Sequence, residues 1–375
     1  MRDRCILCAG ELDTPLTLDN MPASAQGFTT TSAEALRASA AMNVFACQSC
    51  GLIQYLGPLV PYYKEVIRST RLSKPMLQFR RGQFSKIVEK KNIKSVFELG
   101  AGAGEHLDIF KKDGVNTFGI EGSAQLANHA RTTGHSVYDG FLPKTNLKNQ
   151  IGGTQFDLVT SFNFIEHLPD PRATLQCLID LLKPGGYAIL EVPNFNMIAE
   201  FKLFNEFIPD HRSYFTKNTF QLLLSITGFE ILSIESIWDD YILSATAKKR
   251  EPVNWDPYLE ARSSLSVDIE EFFGDSPKAE NAIWSAGHQS LATISNLELG
   301  GLISCIIDSS PKKQSRYAPA SGIPIVAPDI LAEGQIKKVL LSAAGFNPEI
   351  KRSIKNNYDR SIKLGFLNKG KVEVE

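Results

Sequence analysis

The sequence predicts an α/β chain in which a Rossmann-like domain is flanked by a small N-terminal metal-binding module and a C-terminal Rossmann-like half-domain. Three observations predict it. From Ser95 onward, short apolar runs alternate with amphipathic segments, as strands and helices do around a parallel sheet. Within the first 60 residues, four of the six cysteines form two Cys-x-x-Cys pairs, Cys5 with Cys8 and Cys47 with Cys50. A second strand and helix series begins near Ala282. A length of 375 residues suits two or three domains. The expected divisions are a zinc-binding module over 1–60, the Rossmann-like domain over 61–250, a linker with a helix over 251–280 and the C-terminal domain over 281–375.

Composition narrows the partners. Apolar residues at 43% and charged residues at 22% allow a sizeable core. Forty Lys and Arg balance 41 Asp and Glu, and no long basic block stands out, which argues against nucleic acid or a membrane surface as a partner held by bulk charge. No stretch approaches a membrane span, and the polar start Met1-Arg2-Asp3-Arg4-Cys5 lacks an apolar signal region, so the expected compartment is the cytoplasm. A reducing compartment favours metal over disulfides for the cysteine pairs, and burial for Cys177 and Cys305.

Each element follows in order. Up to Leu59 there is little regular period. Between Pro61 and Asn92, apolar residues at helical spacing (Met76, Phe79, Phe84, Ile87, Val88) predict a helical lead-in. Strands are expected at Ser95–Leu99, Thr117–Glu121, Phe156–Phe162 and Tyr187–Val192, with helices starting near Glu105, Ser123 and Pro171. A helix over Phe220–Thr227 and a strand over Phe229–Trp238 would finish the sheet, closing the domain near Arg250. The later series runs through Ala282–Ala286, a helix to Leu297, Leu302–Asp308, Ile323–Val326 and Lys338–Ser342, with a frayed tail after Lys351.

The first strand runs into Gly100-Ala101-Gly102-Ala103-Gly104, where glycines let the backbone pass close to a ligand. Glu98 stands just before the strand's end. Glu121, closing the next strand, can accept hydrogen bonds from both hydroxyls of a ribose. This G-x-G-x-G spacing resembles the class I S-adenosylmethionine (SAM)-dependent methyltransferases more than the nicotinamide or flavin dehydrogenases. So do Phe156-Asp157-Leu158-Val159 with Asn163, Glu166-His167-Leu168-Pro169-Asp170-Pro171, and the turn Leu182-Lys183-Pro184-Gly185-Gly186. The resemblance implies SAM as cofactor, Asn163 near its methionine end, and Asp139 and Gly140 near its adenine.

The two knuckles offer four thiolates for a tetrahedral, structural Zn2+ with no open position for water; a redox dithiol and metal-free apolar burial are the alternatives. A four-cysteine module, a SAM domain and a second Rossmann-like half, in that order, resemble the sugar C-methyltransferases of deoxysugar pathways. Cys5-Ile6-Leu7-Cys8, Asp210-His211-Arg212-Ser213-Tyr214-Phe215-Thr216 and Asp308-Ser309-Ser310-Pro311-Lys312-Lys313-Gln314-Ser315-Arg316-Tyr317 carry that resemblance. It implies a small-molecule substrate, a nucleotide-linked keto-sugar, and His211 as the base that generates an enolate, a task suited to imidazole. Asp210 would stabilise the imidazolium. His167 is the rival base, and Tyr62, Tyr63 and Tyr214 are candidate hydroxyls. The bland readings are a capping His211, a turn-bound His167 and packing tyrosines.

Two departures bear on the substrate. Ile208 stands where those enzymes carry a tyrosine, and Trp238-Asp239-Asp240-Tyr241-Ile242-Leu243-Ser244 replaces their glycine-rich segment. O- or N-methylation of another glycan or metabolite is therefore an alternative, and a zinc-knuckle adaptor with a degenerate methyltransferase domain is a third. Gly287-His288-Gln289-Ser290 lacks the glycines of a working dinucleotide turn, so the C-terminal unit is expected to hold the substrate's carrier or form an interface.

Overall fold

A computed structural model describes residues 4–25, 28–60, 72–144 and 147–374. Pro61, Tyr62 and Tyr63 lie outside them. The chain divides into two compact units, Met1–Glu251 and Pro252–Glu375.

In the first unit, β1 (Leu16–Pro22), β2 (Ser39–Ala46) and β3 (Ile53–Tyr55) form a small antiparallel sheet. These strands are half-exposed and show only short alternations, which is why the sequence up to Leu59 has little regular period. The helical lead-in is Lys74–Lys91, started by Ser73 as N-cap. The strands β4 (Ser95–Leu99), β5 (Asn116–Glu121), β6 (Ser136–Asp139), β7 (Phe156–Phe162) and β8 (Leu182–Pro193) then build a parallel sheet. A two-residue strand, β9 (Ser213–Tyr214), joins β3 in the small sheet. The strands β10 (Phe229–Ile237) and β11 (Ile242–Lys249) complete the large one.

The large sheet runs β10-β11-β8-β7-β4-β5-β6, with β11 antiparallel to both neighbours. The order reverses at β4, which lies between β5 and β7, and such a reversal opens a crevice at the carboxyl ends of the strands. Alternate residues serve the two faces: Val96, Leu158 and Ile189 join one core, Phe97, Val159 and Leu190 the other. The strand β11 was not foreseen. Its run Ser244-Ala245-Thr246-Ala247 is small, with Ser244, Ala245 and Ala247 buried and Thr246 half-buried, so it shows neither alternation nor bulk. Trp238, Asp239 and Asp240, where the sugar enzymes carry glycines, keep a turn of three left-handed residues (φ 56°, 52° and 60°).

The second unit opens with a helix, Asp256–Phe273, which buries Ile269, Phe272 and Phe273. Its sheet adds β12 (Asn281–Trp284), β13 (Cys305–Ile307), β14 (Arg316–Tyr317), β15 (Pro324–Val326), β16 (Lys338–Leu341), β17 (Lys363–Asn368) and β18 (Lys371–Val374). The order is β14-β15-β13-β12-β16-β17-β18, parallel except for β14 and β18 at the edges. The expected frayed tail is thus corrected. A helix, Asn347–Asn357, continues past Lys351, and Ile362, Leu364 and Leu367 are buried beyond it. Gly365 is needed where β17 passes Phe272, whose ring lies 2.9 Å from the place of a Cβ. Among the described residues, no helix is long and apolar enough to cross a membrane.

Candidate active site

The glycine turn leaves β4 with Gly100, Gly102 and Gly104 all at positive φ (75°, 53° and 88°). They are needed for different reasons. A Cβ on Gly100 would lie 2.7 Å from the Phe164 ring and one on Gly104 2.7 Å from His135, whereas Gly102 faces open space within 4 Å. Of the three, Gly102 alone leaves its backbone open. The Glu121 carboxylate accepts the N–H of Gly102 (2.8 Å) and of Ser123 (2.9 Å), tying the second strand to the turn. Burial raises its pKa above the ordinary carboxyl value, against those hydrogen bonds. Each oxygen retains a lone pair for a ribose hydroxyl.

Other expected cofactor residues are distributed around this turn. Asn163, at the end of β7, adopts φ 48°, and its Oδ1 is buried without a hydrogen-bond partner. Gly140 donates its N–H to the Glu121 carbonyl (2.9 Å), and Asp139 is exposed beside Arg131 (3.3 Å). Glu98 lies beneath the turn, paired with His106 (2.9 Å) and almost fully buried. Two further residues were not foreseen: a Cβ on Gly122 would meet the Phe141 ring at 2.0 Å, so that ring lies flush against the backbone after Glu121. Phe141, Phe164 and His167 border one cavity of about 160 Å³. An orphaned acceptor, an open glycine and a carboxylate at the ribose position fit SAM.

Beyond that cavity, the residues from Ile208 to Tyr214 form a closed loop. The Tyr214 hydroxyl donates to the Ile208 carbonyl and accepts its N–H, both at 2.9 Å, and the His211 N–H donates to the same carbonyl (3.1 Å). Tyr214 is therefore committed to the loop's backbone, and burial raises its pKa further above the phenol range. The Arg212 N–H donates to the Glu166 carbonyl (2.7 Å), and His167 Nδ1 donates to the Asp210 carbonyl (2.9 Å). These bonds bring together His167 and the more distant His211, with ring centroids 4.7 Å apart and edge to face. Asp210 accepts the Ala25 N–H (2.9 Å), which anchors the loop to the N-terminal module.

Desolvation dominates the titrations of the cluster. Burial holds His167 down to about 4, opposed by the Asp210 carbonyl and charge. Burial and then the neighbouring His167 hold His211 well below its ordinary value. Both rings are neutral near pH 7, the form a base requires. Glu166, completely buried, is pushed up to about 8 by desolvation, and its Oε2 has no partner. Sequence reasoning quoted Glu166 but gave it no role. Its adjacency to His167 was the available signal, whereas its burial was not visible.

The four cysteines converge, with all four Sγ atoms within 4.8 Å of one another. Cys5 and Cys50 approach to 3.6 Å, Cys8 and Cys47 to 3.5 Å. Ligands at about 2.3 Å from a tetrahedral zinc stand roughly 3.8 Å apart, so the set fits that ion. The knuckles match: Ala9 N–H donates to Cys5 O and Gly51 N–H to Cys47 O, both at 2.9 Å, with Ala9 and Gly51 left-handed. The second knuckle leads directly into β3, the strand that pairs with Ser213 and Tyr214. Arg212 completes the clamp: its guanidinium donates to the Gly57 carbonyl (2.6 Å) and stacks over Tyr55 (5.2 Å).

In the second unit, Asp308 accepts from the Ala286 N–H (2.8 Å), the Ser310 N–H (2.9 Å) and Lys313 (3.0 Å). The quoted 308–317 segment is thus fastened to the end of β12.

Comparison with known proteins agrees with this geometry. Residues 70–234 match the family model described as a methyltransferase domain, and residues 268–365 that of a C-methyltransferase C-terminal domain. The chain is 33% identical over 107 residues to a ubiquinone biosynthesis O-methyltransferase of Pseudomonas aeruginosa, covering 28% of this chain and 46% of that one. It is 22% identical over 204 residues to the C-methyltransferase NovU of Streptomyces niveus, covering 52% and 48%. The chain thus spans about half the length of the curated relatives it matches. A solved magnesium protoporphyrin IX methyltransferase from Synechocystis PCC 6803 aligns at 15% identity with a TM-score of 0.38, over 48% of this chain and 90% of that one. The chain thus carries a region that matches a methyltransferase domain and, later in the sequence, one that matches a C-methyltransferase C-terminal domain.

Proposed function

We propose that this chain methylates a carbon of a small keto-sugar on a nucleotide carrier, with His211 as the base. The observation that carries the reading is the half-buried His211, its pKa held well below the ordinary imidazole value, packed edge to face against His167, which borders the cavity that Phe141 and Phe164 also line. The matched C-methyltransferase C-terminal domain supports carbon as the acceptor. SAM, when bound, supplies an electrophilic methyl group. Glu121 would hold its ribose, Gly102 its close approach and Asn163 Oδ1 its ammonium; Gly100, Gly104 and Glu98 shape the turn, and Asp139 with Gly140 lies toward the adenine. His211 takes the proton from the carbon beside the ketone, leaving that carbon nucleophilic, and retains the proton as imidazolium. His167 orients His211, Asp210 and Tyr214 fix the loop, and Cys5, Cys8, Cys47 and Cys50 hold a structural zinc.

The test is to incubate the protein with labelled SAM and a panel of nucleotide-linked keto-sugars and their reduced counterparts, locating the new methyl by NMR. A methyl on carbon, only with ketones, is expected, together with exchange of solvent deuterium beside the ketone. A methyl on oxygen or nitrogen would overturn the reading in favour of the O-methyltransferase likeness, which covers 28% of this chain.

A further inference from the structure

We propose that Glu166, His167 and His211 form a second, exchangeable metal site that takes a divalent first-row transition ion and, while occupied, switches the acceptor site off. One ligand atom from each residue lies within 4.8 Å of the others. Glu166 Oε1 and His167 Nε2 stand 3.7 Å apart, close to the separation of two ligands on one ion at about 2.1 Å. Because a carbonyl only accepts, the contact of His167 Nδ1 with Asp210 O places the ring proton on Nδ1 and leaves Nε2 as a lone pair facing Glu166. A ring N–H given to a backbone carbonyl is how metal-binding histidines are commonly oriented.

Glu166 Oε2 is a second, independent sign. It is a buried carboxyl oxygen without a hydrogen-bond partner, beside the lone pair of His167 Nε2. Such a set is completed by a cation. The Arg212 N–H on the Glu166 carbonyl fastens the two ligand-bearing segments together, so little reorganisation is required. Two imidazoles and one carboxylate suit Zn2+, Co2+ or Ni2+, whereas Mg2+ and Ca2+ prefer all-oxygen sites. The site is separate from the four cysteines and has three protein ligands, which makes it open and exchangeable.

The switching part rests on the proposed role of His211: its lone pair holds either a substrate proton or the ion. The binding part rests on geometry alone.

The experiment titrates zinc-loaded full-length protein with Co2+, following calorimetry and visible absorption, in wild type, Glu166→Gln and His211→Asn. Wild type should bind one Co2+ with a nitrogen and oxygen spectrum. Each variant should weaken it at least about a hundredfold, beyond the 10- to 100-fold typical of losing a supporting residue. Unchanged SAM affinity certifies that the variants are folded. No exchangeable ion in wild type, or equal binding in both variants, overturns the site. Co2+ should also inhibit turnover, competitively with the methyl acceptor; binding without inhibition overturns the switch. If His211→Asn keeps turnover but loses Co2+, the metal site stands and the base assignment falls. If it loses turnover while wild type binds no Co2+, the reverse holds.

Discussion

Between Glu98 and Glu121 the glycine turn draws its defining hydrogen bonds from neighbouring sequence: Gly102 to Glu121, and Gly100 and Ala101 to Ile120. The acceptor cluster does the opposite. His211 depends on Ile208 and Tyr214 nearby, but also on Glu166 and on Ala25, Tyr55 and Gly57 of the N-terminal module. The cysteine knuckles are thereby tied to the loop that bears His211, because the strand they launch pairs with Ser213 and Tyr214. The turn is built within one local segment, whereas the cluster is built from three remote ones.

That contrast is broken most sharply at the turn itself. Gly102→Arg places a large side chain at a left-handed position where the ligand approaches. SAM binding should become undetectable by calorimetry, at least about a hundredfold weaker, or about 2.7 kcal/mol. If this variant binds SAM normally, the turn is not the cofactor site. His211→Asn should act on the other half alone, lowering turnover by about 10² to 10⁴ while SAM affinity stays constant. Full turnover in His211→Asn with loss in His167→Asn would transfer the base role to His167.

How much was legible in sequence follows the same division. The glycines, Glu121 and the strand Ser95–Leu99 were readable because a turn's demands fall on the residues within it. The knuckles were readable from spacing, and their sulfurs do converge. What the Tyr214 hydroxyl binds was not legible, since only the folded loop reveals that it closes on Ile208. Glu166 was hidden because desolvation, not neighbouring sequence, gives it its character. The strands β11 and β17 were missed for a related reason: small, mostly buried residues, or a short apolar run behind a polar helix, produce no period.

A smaller effect is expected at the knuckles. Cys8→Ser with Cys47→Ser should abolish the single structural zinc measured by elemental analysis, since metal and local fold are linked. Turnover should fall less than in His211→Asn, and SAM affinity should hold. Equal loss of SAM binding would place the knuckles under the cofactor half instead.

The smallest expected effect is also the finest probe of the coupling. Arg212→Ala removes one charge-assisted hydrogen bond to the Gly57 carbonyl and the stack over Tyr55, but leaves the main-chain bonds from Tyr55 to the Arg212 carbonyl and from Arg212 to Glu166. The register of the loop is thus retained while its attachment to the module loosens. The two lost contacts set an expected destabilisation of about 1–3 kcal/mol, read by thermal melting. Arg212→Lys should recover part of it, because an ammonium reaches the carbonyl but lacks the planar face that stacks on tyrosine. Turnover should drop severalfold with SAM affinity unchanged, and the imidazole resonances of His167 and His211 should broaden or shift together. If those resonances stay in place while stability falls, Arg212 holds only the module, and the loop's position is set by its main-chain bonds alone.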